Sequence, residues 1–440
     1  MSALVLAVVL SATPIELDRA RALARENTQA LTAVLQADTA GEDVRTARAG
    51  LLPRLDASLG AGFDYNGVQR IYTIVPLEDG TTLRQARDVE AAAYPGFNFG
   101  LTLGQVIYDR GLWARLRQSG AQHESLKGQA QEQRDTSELE GIQRFFALFR
   151  TQSNIQVLEA NVRRSEQQLE RARALFQAGR VGKAEELAAQ VNLGNDRISV
   201  AVQQAQLASD RALLATWLAL PGAEPLSAVD PGVMREEPVP PVSLEQALED
   251  ARTHRPLLMA LRQQLRAAEL QEVIAHAGYL PRVNFQAQYG RAGPNAEVVF
   301  LDPQRQHSVS AGVGLSWNLF AGLSTQSQTR RAQYQSKIAE LSLLQAERDL
   351  EAAVAQTHAT VLAQINATAL AATNRKAAAD ALVLAEERFN AGVSSTLEVR
   401  DAQLKLTQAE LTLLQNRIDV ERARFALMRA MGMLSPGDAK

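Results

Sequence analysis

The acidic residues that follow the two predicted reversals of the helical pattern have the types and spacing to bind cations. Glu398 and Asp401 stand three positions apart, so on a helix they share one face, and Arg400 lies between them. Glu185 holds a similar place after the first reversal. Repeated around a rotation axis, such carboxylates would form rings of negative charge that bind cations and select permeants. The alternative is that these carboxylates stabilise the N-termini of their helices through the helix dipole. The same residues could serve both roles.

The other reactive side chains show no spacing that is typical of catalysis or of metal binding. The five histidines form no HExxH motif, and the chain has no cysteine. Gly312-Val313-Gly314 begins like a dinucleotide-binding loop, but it lacks the third glycine and lies in a strand pattern. No GxxxxGK(S/T) or GxSxG motif is present. The sequence therefore predicts no enzyme, no catalytic residue, no metal site and no cofactor.

The composition favours long, closely packed helices over thick globular domains. The 440 residues are 46% hydrophobic but only 5% aromatic, and alanine is abundant. Alanine is the best helix former and buries little area. The net charge is −3, so the charge balance predicts no nucleic-acid partner.

The N-terminus carries the longest apolar run of the sequence. Residues 3–10 are apolar and small residues follow them, which is typical of the apolar region of a signal peptide, although no basic residues precede it. The run is far shorter than the roughly 18 residues that a membrane-spanning helix needs. We interpret 1–13 as a signal-peptide remnant, and an ordinary apolar N-terminus is the alternative.

The chain contains two versions of one structural unit. Leu52-Pro53-Arg54 recurs as Leu280-Pro281-Arg282, and Phe176-Gln177-Ala178-Gly179 recurs as Phe389-Asn390-Ala391-Gly392, in the same order but with different loop lengths between them. The pattern of each version predicts a helix, two strands and two long helices. The chain reverses between the two long helices near 179–182 in the first version and near 392–395 in the second. The predicted segments are a first repeat at 14–220, a Pro-rich linker at 221–242, a second repeat at 243–434 and a tail at 435–440.

The predicted strands have the length and composition of strands that cross a bilayer. Apolar and polar residues alternate over about 54–65, 97–108, 282–290 and 308–320. Of the 22 aromatic residues, 12 fall within or beside these segments. Those predicted at strand ends, where aromatic girdles contact lipid headgroups, are Tyr65, Tyr94, Tyr108, Tyr289, Trp317 and Phe320. We favour this lipid-facing interpretation over a soluble sheet with one buried face.

Four strands cannot close a barrel, and an open sheet edge is not tolerated in hydrocarbon. The chain must therefore oligomerise to complete a membrane part. Two copies would supply eight strands, and side chains fill the interior of an eight-stranded barrel. Three copies would supply twelve strands, and a barrel of that size leaves a channel. The inward face is rich in Gly, Ser, Asn and Gln, which suits water and favours three copies.

The long helices carry two apolar stripes on opposite sides. Seven-residue repeats begin at Leu397 and Val399 after the second reversal, and at Val191 and Leu193 after the first. Stripes two residues apart lie about 200° apart, as a helix in a single-layer wall requires. With the strands, this predicts a helical tube joined to a β-barrel, which is a conduit. A soluble coiled-coil structural protein with an accessory sheet is the alternative.

These motifs together resemble the TolC-like outer-membrane efflux protein family over nearly all of 14–434. The residues that carry the resemblance are the duplicated Leu-Pro-Arg, the duplicated Phe-(Gln/Asn)-Ala-Gly and Trp317-Asn318-Leu319-Phe320-Ala321-Gly322. The resemblance implies a homotrimer with a 12-stranded barrel in the outer membrane and a helical tunnel in the periplasm. It also implies a gated exit duct for efflux or type I secretion that docks a periplasmic adaptor and an inner-membrane pump.

The resemblance also implies roles for residues at the reversals. Glu398 and Asp401 match the two acidic positions that narrow the periplasmic entrance in the family, and Glu185 and Arg400 lie beside them. The tips that meet the adaptor in the family match Ala178, Gly179 and Arg180 in the first repeat and Ala391, Gly392 and Val393 in the second.

One family feature is altered in this chain. In the protein that names the family, an arginine two positions after the second reversal glycine pairs with an aspartate six positions after the first. Ser394 and Glu185 occupy those positions here, so that pair cannot form. Arg180, Lys183 and Arg400 are the basic residues that could replace the arginine.

Overall fold

A computed structural model describes residues 13–76, 80–221, 226–234, 239–301 and 307–434. The predicted signal-peptide remnant lies outside these residues except for Thr13, and the predicted tail lies outside them entirely. The strands are β1 (Thr13–Ile15), β2 (Arg54–Asn66), β3 (Gln69–Pro76), β4 (Thr82–Val89), β5 (Ala92–Tyr108), β6 (Leu226–Ala228), β7 (Arg282–Gly293) and β8 (His307–Ser316). The α-helices are α1 (Leu17–Arg25), α2 (Thr28–Ala49), α3 (Arg110–Gln177), α4 (Lys183–Trp217), α5 (Leu244–His254), α6 (Pro256–His276), α7 (Ala296–Phe300), α8 (Ser324–Asn390) and α9 (Thr396–Ala430).

The chain forms two compact units. The first comprises the residues up to Thr39, His123–Gln264 and the residues from Ala339 onward, and it holds most of the long helices. The second comprises Ala40–Gln122 and Leu265–Ile338 and holds β2–β5, β7 and β8. None of the described helices is both long and apolar enough to cross a membrane.

The second unit is built on an antiparallel sheet in the order β2-β5-β7-β8. Its register aligns the predicted alternation across all four strands. Ala57, Leu101, Tyr289 and Val309 stand side by side, so the apolar set shares one face. Among the described residues, β2 and β8 each leave one edge unpaired. The predicted four-stranded sheet is confirmed, and its edges remain open within one chain.

The strand limits differ from those predicted. β5 begins at Ala92, β7 runs on to Gly293 so that Tyr289 lies inside the strand, and β8 ends at Ser316. Trp317 therefore follows the last strand, and its indole N–H donates to the backbone oxygen of Tyr279 at 2.9 Å. The alternation of apolar and polar residues continues through Trp317 even though the backbone there no longer pairs with β7. The alternation therefore predicts a strand that is longer than β8.

The hairpin of β3 and β4 was not predicted. It is an antiparallel pair in which Arg70 makes a bidentate ion pair with Asp88, with N···O distances of 2.6 and 2.9 Å. Both faces of the pair are exposed, so neither face needs an apolar set and the sequence shows no alternation there.

The first unit is a helical bundle with one main core. The core includes Phe145, Phe146, Leu214 and Ile418, all nearly or fully buried. The parallel pair of β1 and β6 joins this core. The Pro-rich segment predicted as a linker is thus partly integrated in the fold, because β6 and the buried Val233 within it bring apolar side chains to the core.

The two stripes of the returning helices differ sharply in burial within one chain. On α4, Leu193 is 7% exposed whereas Val191 is 61% exposed. On α9, Val399 is 2% exposed whereas Leu397 is 75% exposed. Near the reversals the chain therefore covers one stripe of each returning helix with its own residues and leaves the other exposed, whereas further along α9 the Leu397 stripe is also covered at Ile418. At 68 and 67 residues, α3 and α8 are each about 100 Å long.

The ends of α4 and α9 use the same hydrogen-bonded cap with different residues. At the end of α9, Gly432 has φ 72°, and its own N–H and that of Met433 bond the last carbonyls of the helix. At the end of α4, Ala219 adopts φ 51° in the equivalent cap. Ala219 and Gly432 occupy matching positions when the two repeats are aligned on their reversal glycines. The first repeat thus holds a strained alanine where the second has glycine.

We expect Ala219→Gly to raise the free energy of unfolding by about 0.5–1 kcal/mol, because glycine removes the left-handed strain. We expect Gly432→Ala to lower it by about 2 kcal/mol, because an added Cβ would also lie 2.7 Å from the His254 backbone. Unfolding in detergent, followed by far-UV circular dichroism, measures both variants. A stability loss in Ala219→Gly would contradict this explanation.

A buried acidic residue on α3 opposes folding at neutral pH. Asp135 is almost fully buried, and burial together with the nearby Glu132 and Glu138 raises its pKa from 3.8 to about 6. Glu132 also forms ion pairs with Arg255 and Arg429, at N···O distances of 2.7 and 2.8 Å. The side-chain amide of Gln131 donates to Asp135 at 3.0 Å, and this bond survives in an asparagine.

The raised pKa means that the folded state binds the Asp135 proton more tightly than the unfolded state, so Asp135 costs stability as the pH rises from about 4 to about 6. At about pH 7.5 the cost is on the order of 3 kcal/mol. We expect Asp135→Asn to raise the thermal midpoint at about pH 7.5 and to change it little at about pH 4. The exposed Asp38→Asn is the control, and an equal gain at both pH values would contradict the prediction.

Candidate functional site

The reversals between the long helices are closed by two matching caps. Gly179 has φ 69° and Gly392 has φ 76°, and the residue after each glycine donates its N–H back to the helix, Arg180 to Leu175 O and Val393 to Arg388 O. This geometry requires a positive φ, which glycine adopts without strain. The six predicted tip residues are all exposed, and they are Ala178, Gly179, Arg180, Ala391, Gly392 and Val393.

Glu398 lies in the first turn of α9, as predicted, and it takes part in the cap. The Ser395 hydroxyl accepts the backbone N–H of Glu398, and Ser394 Oγ donates to the Glu398 carboxylate at 2.6 Å. Arg388, at the end of α8, approaches the same carboxylate at 3.6 Å. Glu398 therefore occupies a position where its carboxylate stabilises the N-terminus of α9. Its side chain is nevertheless exposed to solvent.

Asp401 lies one turn further along α9 and is exposed. Its carboxylate pairs with Lys405 Nζ at 2.7 Å on the same helix. An exposed pair of this kind contributes only about 0.3–0.5 kcal/mol and exchanges readily with water and ions. Glu398 and Asp401 thus leave two accessible carboxylates near the second reversal.

Glu185 connects the two repeats. It lies in the first turn of α4, six positions after Gly179, as Glu398 lies six after Gly392. The Thr396 hydroxyl of α9 donates to the Glu185 carboxylate at 2.5 Å. The carboxylate therefore bridges the starts of the two returning helices.

Arg400 does not lie with the exposed carboxylates. It forms a bidentate ion pair with Asp196 of α4, with both N···O distances 2.9 Å, and donates to Ser165 of α3 at 3.1 Å. The pair is largely buried. Arg400 was predicted to lie at the entrance, and the structure instead places it in a clasp between three helices, which we call the Arg400 clasp (Arg400, Asp196 and Ser165).

Two of the three basic residues considered as replacements for the family's arginine have partners elsewhere. Lys183 pairs with Glu186 at 2.5 Å, and Arg400 pairs with Asp196. No ion pair joins either of them to Glu185 in the part of the chain that the structure describes.

Sequence reasoning missed Asp196 and Ser165. Asp196 lies in the buried seam of α4 that also contains Leu193 and Leu214. A second seam aspartate, Asp210, accepts a hydrogen bond from Thr151 of α3 at 2.7 Å, and Asp196 accepts one from Ser165 at 2.5 Å. The signal in the sequence is a pair of aspartates separated by two heptads in a seam that also carries leucines, which is typical of polar residues that set the register of a coiled coil.

The predicted interface aromatics occupy three kinds of position in the second unit. Tyr65 lies near the end of β2, beside the start of β5 that contains Tyr94, so both residues lie at one end of the sheet. Tyr108 lies at the opposite end of β5, and Trp317 and Phe320 follow β8. The side chains of Tyr65, Tyr108, Trp317 and Phe320 are exposed. Tyr289 lies in the middle of β7 instead.

No group of three or more histidine, cysteine or acidic side chains that could hold a metal ion occurs among the described residues.

Comparison with known proteins gives a consistent result over nearly the whole chain. A family model described as "Outer membrane efflux protein" matches residues 20–220 and 247–433. The alkaline protease secretion protein AprF of Pseudomonas aeruginosa is 26% identical over 434 residues, covering 94% of this chain and 84% of that protein. The outer membrane protein TolC of Vibrio cholerae is 24% identical over 422 residues, covering 94% and 90%. The outer membrane channel CmeC of Campylobacter jejuni superposes with a TM-score of 0.76 at 14% identity, covering 95% and 86%, and this likeness confirms the fold class.

We expect removal of one partner from the Arg400 clasp to be strongly destabilising. Arg400→Met leaves Asp196 buried without its cation, at a cost of about 3 kcal/mol or more. Replacing both, as Asp196→Leu with Arg400→Met, should recover most of that loss, because no charge stays buried alone. A double-mutant cycle on unfolding free energies measures the difference, and additive losses would contradict it.

Proposed function

The chain belongs to the outer membrane efflux protein family, and on this premise we propose that three copies form a passive exit duct through the outer membrane. The family match confirms the resemblance seen in the sequence and sets aside the soluble coiled-coil alternative. The single observation that carries the proposed trimer is the sheet with two unpaired edges. Such edges need partners if the sheet lies in lipid.

Three copies of the four-stranded sheet would give a barrel of twelve strands. The face that carries Ser58, Gly100, Gly290 and Ser308 is polar and small, and it would line a water-filled interior. The opposite face, with Ala57, Leu101 and Tyr289, would contact lipid. The exposed Tyr65 at one end of the sheet and Tyr108 at the other would contact the headgroups on the two sides.

The helices support the same assembly. Val191 and Ile198 on α4, and Leu397 and Leu404 on α9, form exposed apolar rows that soluble monomers rarely present. In a closed ring each row would pack against a helix of the neighbouring copy, as knobs-into-holes packing requires. The helices would then form a periplasmic tube.

The proposed partners are a periplasmic adaptor and an inner-membrane pump. The exposed reversal tips support this, because exposed glycine-capped turns such as those at Gly179 and Gly392 present backbone and small side chains to a docking protein. The name of AprF associates that relative with protease secretion, and the matched family is described by efflux. Tripartite efflux and type I secretion are both within the proposed function.

The proposed entrance uses Glu398 and Asp401. Both carboxylates are exposed near the second reversal, and three copies would supply six of them around the axis. Glu185 and Arg400 would act differently, because their side chains are held by contacts between helices of the same chain. They would control how far the two returning helices separate when the entrance opens.

Planar bilayer recordings of the purified, detergent-extracted protein test the duct and its entrance. We expect conductance from a complex with the mass of three chains, and block of that conductance by a trivalent cation on the helical side. Glu398→Gln with Asp401→Asn should raise the blocking concentration at least about tenfold, because the ring loses its charge.

The matched control is Asp38→Asn with Asp43→Asn, which removes two exposed carboxylates from α2. It should leave the block unchanged. Native protein that gives no conductance would overturn the duct, whereas unchanged block in the Glu398 and Asp401 double variant would overturn only the charged entrance.

A further inference from the structure

A small, partly open cavity lies in the first unit, between α3, α4 and α9. Its volume is about 340 Å³, which lies at the lower end of the range for small-molecule sites. Each helix contributes one amide side chain to its wall, namely Gln168, Asn192 and Gln403. We propose that this cavity binds a primary alkylammonium cation, a role separate from passage through the duct.

Gln403 is the strongest evidence for a ligand. It is 3% exposed, it lines the cavity, and its side-chain amide makes no hydrogen bond to any other described residue. A ligand in the cavity could supply hydrogen-bond partners for this amide in place of water. The side chains of Gln168 and Asn192 are likewise without hydrogen bonds in the described part of the chain. Three such amides around one cavity supply three carbonyl acceptors for a donor-rich ligand.

The charges around the cavity favour a cation. Arg400 lines the wall, but both of its terminal nitrogens are engaged by Asp196 and Ser165, so its charge is already neutralised. Glu185 also lines the wall, and only one of its oxygens accepts the hydrogen bond from Thr396. The second carboxylate oxygen is available, and Asp196, Arg400 and Glu185 together carry one negative charge.

The ligand needs a polar head and a short apolar body. An ammonium group has three donors, which match the free oxygen of Glu185 and two of the amide carbonyls. The remaining wall includes Ala172, Ala189 and Leu397, which offer contact to methylene groups. A bare metal ion fits less well, because Glu185 is the one acidic side chain in the wall.

Occupancy of the cavity would act on the contact between the two repeats. The carboxylate that holds the ammonium also accepts the Thr396 hydrogen bond that bridges α4 and α9. The ligand would therefore stabilise the arrangement in which these two helix starts lie together, and would bind less well when they separate.

Isothermal titration of the full-length protein in detergent with n-butylammonium chloride tests the proposal. We expect one site per chain, and no binding of sodium butyrate, which has the same chain length and the opposite charge. Gln403→Leu and Glu185→Gln should each raise the dissociation constant at least about tenfold, because each removes a partner of the ammonium group.

Two controls separate this site from the proposed entrance and from misfolding. Gln408→Leu changes an exposed glutamine on the same helix and should bind as the native protein does. If Gln403→Leu lowers the thermal midpoint, Gln168→Leu at the half-buried wall position provides the same test. Bilayer conductance of Gln403→Leu, Gln168→Leu and Gln408→Leu should equal that of the native protein, so a failed duct and a failed cavity site give different results.

Several outcomes would overturn the inference. Binding that is lost in Glu398→Gln with Asp401→Asn but kept in Gln403→Leu would place the cation at the entrance instead. Binding of butyrate would show that the cavity takes anions. No measurable binding of n-butylammonium would show that the cavity holds water alone.

Discussion

The structure depends on one constraint, which is that its returning helices are apolar on two opposite sides while a single chain covers only one of these sides next to the reversals. Val399 is buried and Leu397, two positions away, is not. Each uncovered row of residues leaves apolar surface in water, at roughly 25 cal/mol per Å². A helix of this kind is stable only as part of a wall with a neighbour on each side. The two unpaired edges of the β2-β5-β7-β8 sheet also need a partner, because their backbone N–H and C=O groups lack a neighbouring strand to bond with. Further copies of the chain, as proposed above, would meet both demands and would couple folding to assembly.

Inside that wall, polar contacts decide how the helices align. Apolar stripes alone permit a helix to slide by a heptad at little cost, because each step replaces one leucine or alanine contact with another. Asp196 and Asp210 prevent this sliding on α4, since each needs a hydroxyl of α3 at a fixed height and leaves a buried carboxylate without a partner elsewhere. The register that they set also fixes the height of the reversals, where the capped glycines and the exposed carboxylates lie.

The sequence predicted the features that follow from strict periodicity, and it missed those that depend on one contact. Alternation in residues such as Leu101 and Tyr289 identified the sheet, because an apolar face must repeat at every second position. The β3–β4 hairpin was missed because both of its faces are exposed and impose no period. The exposed positions of Glu398 and Asp401 were predictable from their place after the second reversal. The partner of Arg400 was not, because Asp196 is far away in the sequence and only the packing of α4 against α9 brings the two side chains together.

The Arg400 clasp also shows what the duplication makes possible. When the two repeats are aligned on their reversal glycines, the position equivalent to Arg400 is Leu187 and the position equivalent to Asp196 is Ala409. The clasp therefore forms once per chain, between non-equivalent helices of the two repeats. In a ring built from identical single repeats, every repeat would carry both the arginine and the aspartate. Each pair of repeats would then have to bury two such ion pairs instead of one. Because the repeats are joined in one chain, Leu187 remains an exposed apolar residue while Arg400 is a buried cation. The two returning helices can therefore differ in how firmly they are held.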